Sequence, residues 1–240
     1  MDPREKLIVA LDVSSAAAAR KIVVAVGDSA TTYKVGLQLY TAEGPQIVRD
    51  LISSGCRVFL DLKYHDIPNT VAAAVRQAAS LGVQMVTVHA LGGGKMLRAA
   101  TEAARTTNPD VKVLAVTVLT SMDEPELARV GIRGRVLDEV LKLAALALGS
   151  GCDGVVASAQ EARELRRQLG EDFLIVTPGV RPAGADHEDQ ARVVTPAQAI
   201  AAGANHIVVG RPIIEAAEPG QAAREIVTQM GKEIVQSVGS

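Results

Sequence analysis

Two hundred and forty residues match the roughly 250 of one eight-fold β/α barrel, and a chain that is 48% hydrophobic and 22% charged has apolar material for a large core. A formal charge of -2, with three Tyr, two Phe and no Trp, excludes a strong field or a stacking surface for nucleic acid or an anionic membrane. No segment stays apolar for the roughly 20 residues of a membrane span, and the opening "MDPREKLIVALD" has an early acid and too short an apolar run for a signal peptide, so a cytoplasmic protein is expected.

In chain order, "LIVALD" (7 to 12) is the first predicted strand and finishes on Asp12, and "SSAAAARKIVVAVG" (14 to 27) follows as a helix with Ser at its start and Gly at its stop. "TTYKVG" (31 to 36) is the second strand, with Lys34 between apolar or small neighbours. The third, "SGCRVFLDLK" (54 to 63), runs into "YHDIPNTV" and the helix "NTVAAAVRQAASLG" (69 to 82). "LGVQMVTVHA" (81 to 90) and "KVLAVTVLTS" (112 to 121) are the fourth and fifth, the latter ending in Thr120 and Ser121. "SGCDGVVASA" (150 to 159) leads into the helix "SAQEARELRRQLG" (158 to 170), and "FLIVTPGVR" (173 to 181) and "AGANHIVVGR" (202 to 211) complete the set, closing on Arg181 and on Gly210 with Arg211. Strands that are apolar on both faces and alternate with helices imply a parallel sheet covered by helices. Eight such units without a linker-like break predict an α/β fold of one domain, 1-240: a single (β/α)8 TIM barrel with a closed eight-stranded parallel sheet.

In such barrels chemistry sits where the strands finish, and the polar residues crowd those ends. Asp61 and Lys63, two apart on a strand, point the same way and can touch. With Lys34 from the neighbouring strand they put two ammonium groups and a carboxylate at the mouth of an apolar barrel. A rim salt bridge is the plainer reading of Asp61 and Lys63, and a helix cap that of Asp66. Buried charge is nevertheless poor evidence for stability and better evidence for a site, and a protonated lysine beside carboxylates suits a reaction that leaves negative charge on carbon. Gly210 and Arg211 suit a phosphate, with a surface ion pair at a helix start as the alternative. The long aperiodic segment 178 to 196 has the length and composition of a lid or of a disordered loop. Ser121 reads equally as a turn residue or cap, "LGGG" (91 to 94) as structure, His89 as a hydrogen-bonded strand-end histidine, and His65 carries no assigned role. Cys56 and Cys152 read as small core residues of a reduced protein. No metal-ligand set is apparent.

"DLKYHDIPNTV" is similar to the Asp-x-Lys-x-x-Asp signature of orotidine 5'-monophosphate decarboxylases, and "LIVALD", "YKVGLQLY", "VTVLTS", "TPGVR" and "IVVGRPI" resemble that family's other blocks in the same order. The resemblance implies cofactor-free conversion of orotidine monophosphate to UMP in pyrimidine synthesis. It also implies Lys63 as proton donor to C6, Asp61 against the departing carboxylate, and Lys34 and Asp66 completing an alternating array. Asp66 and Thr70 would then reach the partner's ligand in a homodimer with shared active sites. Asp12 matches a ribose contact, Thr120 and Ser121 the pyrimidine and ribose end, and Arg181, Gln190, Gly210 and Arg211 the remaining ligand contacts. The nearest rival, a magnesium-dependent sugar-phosphate decarboxylase or aldolase of the same superfamily, carries an acid where this chain has Lys34. A rival from another class is a catalytically silent barrel that binds phosphorylated ligands.

Overall fold

The computed structural model describes residues 2–182 and 194–237. Eight parallel strands close into a barrel in chain order: β1 (Leu7–Ala10), β2 (Thr32–Gly36), β3 (Arg57–Tyr64), β4 (Met85–His89), β5 (Lys112–Val116), β6 (Gly154–Val156), β7 (Leu174–Thr177) and β8 (His206–Val209). β8 returns to β1 with Leu7 opposite Ile207, which removes both sheet edges. The predicted strands are all present but shorter than their apolar runs: the polar residues expected to finish them, Asp12, Thr120, Arg181 and Arg211, lie just past the last ladder residue.

The helices fall where Ser starts and Gly stops placed them. Ser15 accepts from Ala18 N–H before the helix Ala16–Val26, and Ser158 and Glu161 form a reciprocal capping box at Ala159–Leu169. The helix after β3 begins at Pro68, one residue before the predicted Asn69, because proline's fixed φ suits a first turn that needs no N–H.

Burial separates two cores. Outward residues of the strands pack against the helices in a continuous layer that includes Val9, Tyr33, Leu60, Val86 and Ile207. The smaller inner core is Ile8, Ala10, Phe59, Met85, Leu114, Val176 and Val208, with Val156 and Leu174 against it. Phe59 and Met85 fill the lumen, so the barrel has a floor and the strand ends above it line a bowl. Cys152 is buried just before β6 and its thiol is pushed up to about 12, chiefly by desolvation; Cys56, half-buried, holds the matching place before β3. Among the described residues no helix is long and apolar enough to cross a membrane.

Candidate active site

The register decides which side chains meet. Lys34 lies opposite Ala10 on one side and Phe59 on the other, and one inward step higher Gly36 lies opposite Asp61. Lys34 therefore rises from the floor with a small neighbour and an aromatic one beside it. Its Nζ is 2.8 Å from Asp12 Oδ1 and 3.8 Å from Asp61 Oδ2. Gly36 makes that reach possible: a Cβ there would stand 2.8 Å from Lys34 Nζ and 3.2 Å from Asp12 Oδ1.

Lys63 meets Asp61 as expected, with Nζ 2.9 Å from each carboxylate oxygen, but regular alternation does not hold the pair. β3 slips against β4: Leu60 pairs with Val86, and the next pair is Tyr64 with Val88, so four steps on one strand answer two on the other. Within that bulge Lys63 has φ +51, the one positive φ of a non-glycine among the described residues. A left-handed lysine costs about 1 kcal/mol and persists where its surroundings over-determine it. The Lys63 N–H, turned out of the ladder, donates to Thr87 Oγ1 at 2.8 Å, and the Thr87 hydroxyl donates to Asp61 Oδ1 at 3.0 Å. Asp61 thus faces two ammonium groups and a hydroxyl, with its side chain 14% exposed.

Around this cluster lies a cavity of about 300 Å3. Asp12, Lys34, Asp61 and Lys63 line one arc. Val116, Val118, Val156 and Val208 line another, and Thr120, Arg181, Gly210 and Arg211 complete the mouth. Gly210 precedes the short helix Arg211–Ile214, the helix-start setting considered for Arg211. Val180 bridges Val194 and Arg181 N–H donates to Val194 O, joining the two ends of the long seventh loop. Gln190 lies outside the described residues.

The other predicted residues stand apart. Ser121 is exposed in a turn and does not line the cavity, and the cap of the next helix is Asp123. Among the described residues Asp66 joins no lysine and makes no ion pair: its carboxylate accepts from Ile67 N–H at 2.6 Å. Asp66, Ile67 and Thr70 form an exposed group at the start of the helix Pro68–Ser80. His89 accepts from Leu91 N–H and stacks on the exposed His65, with ring centroids 5.3 Å apart. Burial first, then the His65 ring and the Lys63 ammonium, hold His89 below the ordinary histidine value. No group of three or more His, Cys, Asp or Glu able to hold a metal occurs among the described residues.

Sequence reasoning missed Thr87, Gly36 and the valine arc. Thr87 had a faint signal: it is the lone hydroxyl in "MVTVH" and shares parity with inward Met85.

The family model described as orotidine 5'-phosphate decarboxylase / HUMPS matches residues 5–226. An orotidine 5'-phosphate decarboxylase of Hydrogenovibrio crunogenus is 49% identical over 232 residues, covering 97% of this chain and 98% of the relative. One from Halorhodospira halophila is 51% identical over 225 residues, covering 94% and 95%. The crystal structure of orotidine 5'-phosphate decarboxylase from Lactobacillus acidophilus superposes with a TM-score of 0.85 at 39% identity, covering 94% of this chain and 99% of that one.

Proposed function

The chain belongs to the orotidine 5'-phosphate decarboxylase / HUMPS family, and from that premise we propose that it converts orotidine 5'-monophosphate to UMP and CO2 in pyrimidine synthesis, as a cytoplasmic carbon–carbon lyase that needs no cofactor. The observation that carries this choice within the family is Lys34, an ammonium seated 3.8 Å from Asp61 at the place where a magnesium site would need an acid. Its charge repels a divalent cation and disfavours the sugar-phosphate reading.

In this reading the pyrimidine sits over the apolar floor with its carboxylate toward Asp61. The C6–carboxylate bond breaks, CO2 leaves, and the electron pair stays on C6. Lys63 Nζ stabilises that pair and then gives it a proton, leaving a neutral amine that solvent recharges. Repulsion between Asp61 and the substrate carboxylate is a smaller contribution. Two like charges about 4 Å apart at an effective dielectric near 20 repel by about 4 kcal/mol, which limits the gain to about a thousand-fold. The remainder comes from groups that do not react: Arg181, Gly210 and Arg211 for the phosphate, Asp12 for a ribose hydroxyl, Thr120 toward the pyrimidine, and Gln190 from the seventh loop. Val116, Val118, Val156 and Val208 give departing CO2 an apolar wall.

Asp66 and Thr70 serve the neighbouring site of a homodimer. Their exposure beside Ile67, 66% exposed, supports this. Mixing Asp66→Asn with Lys63→Ala chains then restores part of the lost turnover, whereas self-contained sites restore none. The main test is an assay of EDTA-treated protein: turnover of orotidine monophosphate to UMP is expected, and a strict Mg2+ requirement with a sugar phosphate in its place would overturn the reading.

A further inference from the structure

We infer that Thr87, buried on β4 and outside the cavity lining, is a positioning residue that sets the aim of Lys63 and the orientation of Asp61; this rests on the decarboxylase reading above. The bulge in β3 leaves the Lys63 N–H without a ladder acceptor, because Leu60 and Tyr64 occupy the partners Val86 and Val88 on either side of Thr87. Thr87 is the residue that the slip brings opposite, and it is fully buried. Its hydroxyl oxygen accepts from Lys63 N–H at 2.8 Å. With that direction set by the backbone donor, the hydroxyl proton points to Asp61 Oδ1 at 3.0 Å. One hydroxyl therefore ties the left-handed backbone of the ammonium-bearing residue to the carboxylate that the ammonium touches, at 2.9 Å from both its oxygens.

A methyl group of the same shape can do neither. In Thr87→Val the Lys63 N–H loses its acceptor and Asp61 keeps only its contacts with lysines, so the carboxylate is released to turn and Nζ to follow it. Positioning errors of this kind reduce the reaction more than they reduce binding.

The experiment compares wild type, Thr87→Val, Thr87→Ala and Thr87→Ser for kcat on orotidine monophosphate and for Kd of UMP, with the same pair of valine measurements in a Lys63→Ala background. A fall in kcat of about 10- to 100-fold is expected for the valine and alanine variants, with UMP affinity held within about 3-fold and recovery toward wild type in the serine variant. On Lys63→Ala the valine change costs less than it does in wild type, since only its effect through Asp61 is left. If the valine variant does not fold, the alanine and serine pair decides the matter by the same comparison. Full kcat without the hydroxyl, or losses that the serine variant fails to recover, would overturn the inference while wild-type turnover left the decarboxylase reading standing. Absence of turnover in wild type would remove that reading, and the inference with it.

Discussion

At the end of the barrel where the strands begin, the side chain of Arg166 is 8% exposed and fully engaged. It donates to the carbonyl oxygens of Gly203 and Phe173 at 3.0 and 2.9 Å and to Asn205 Oδ1 at 2.6 Å, and its guanidinium lies 4.5 Å from the Phe173 ring centre. Asn205 Oδ1 in turn accepts from Ile175 N–H, so one cation on the helix Ala159–Leu169 joins the two loops that lead into β7 and β8. Where the strands finish, Lys34 and Lys63 converge on a single carboxylate, one of them from a left-handed backbone, beside a cavity. Both ends bury charge. The first satisfies its charge with fixed carbonyl groups and an exposed carboxylate, Glu171 at 3.3 Å, and gains rigidity, while the second holds charge in a bowl open to a ligand. A buried ion is therefore informative about function only after its partners have been counted.

The contrast can be broken by exchanging the expected consequences. Lys63→Gly should lower turnover by about a thousand-fold or more, yet leave the melting temperature unchanged or raised, because glycine adopts φ +51 without the lysine's strain. A melting temperature lowered by several degrees would show that Lys63 is a structural group. Arg166→Ala should do the reverse. It strands several carbonyl groups and costs about 3 kcal/mol, roughly 10 °C for a chain of this size, while kcat per folded molecule stays within about 2-fold in the cold. A large loss of kcat there would join the two ends functionally.

The smallest expected effect uses one histidine from each end. His206 is buried at the start of β8, where its Nδ1–H donates to Glu5 O at 3.0 Å, and desolvation above all holds it below the ordinary 6.5; His89 is lowered in the same direction. In that situation the unfolded chain takes up a proton before the folded one does. Stability from these groups is complete above 6.5 and falls as pH drops through 6.5 toward the folded values. Denaturant midpoints at about pH 7.5 and about pH 5.5 should therefore differ less in a His206→Gln variant than in wild type. An identical pH slope in the two proteins would remove His206 from this account.

Much of the fold is legible in the linear chain because burial on both faces writes the strands as apolar runs, and capping writes the helix starts as Ser15 and Ser158. The candidate site is legible to the extent that its charges interrupt those runs: Asp12, Lys34, Asp61 and Lys63 stand out because an apolar lumen has no ordinary use for them. Gly36 does not stand out, since its role is the absence of a Cβ beside Lys34 Nζ, a relation between two strands. Ser121 stood out on the strength of its block and lies outside the cavity lining, because the turn after β5 rotates it outward while Thr120 stays in.

By itself, then, the order of residues determined the eight-fold alternation, the closure it implies, and which charges gather at one end, since periodicity and polarity are properties of single segments. Tertiary structure alone decided the two-residue slip between β3 and β4, the left-handed turn at Lys63 and the choice of Thr87 as its acceptor. The physical reason is that an N–H leaving a ladder takes whatever oxygen the neighbouring strand presents at that height, and that height is set by how all eight strands close.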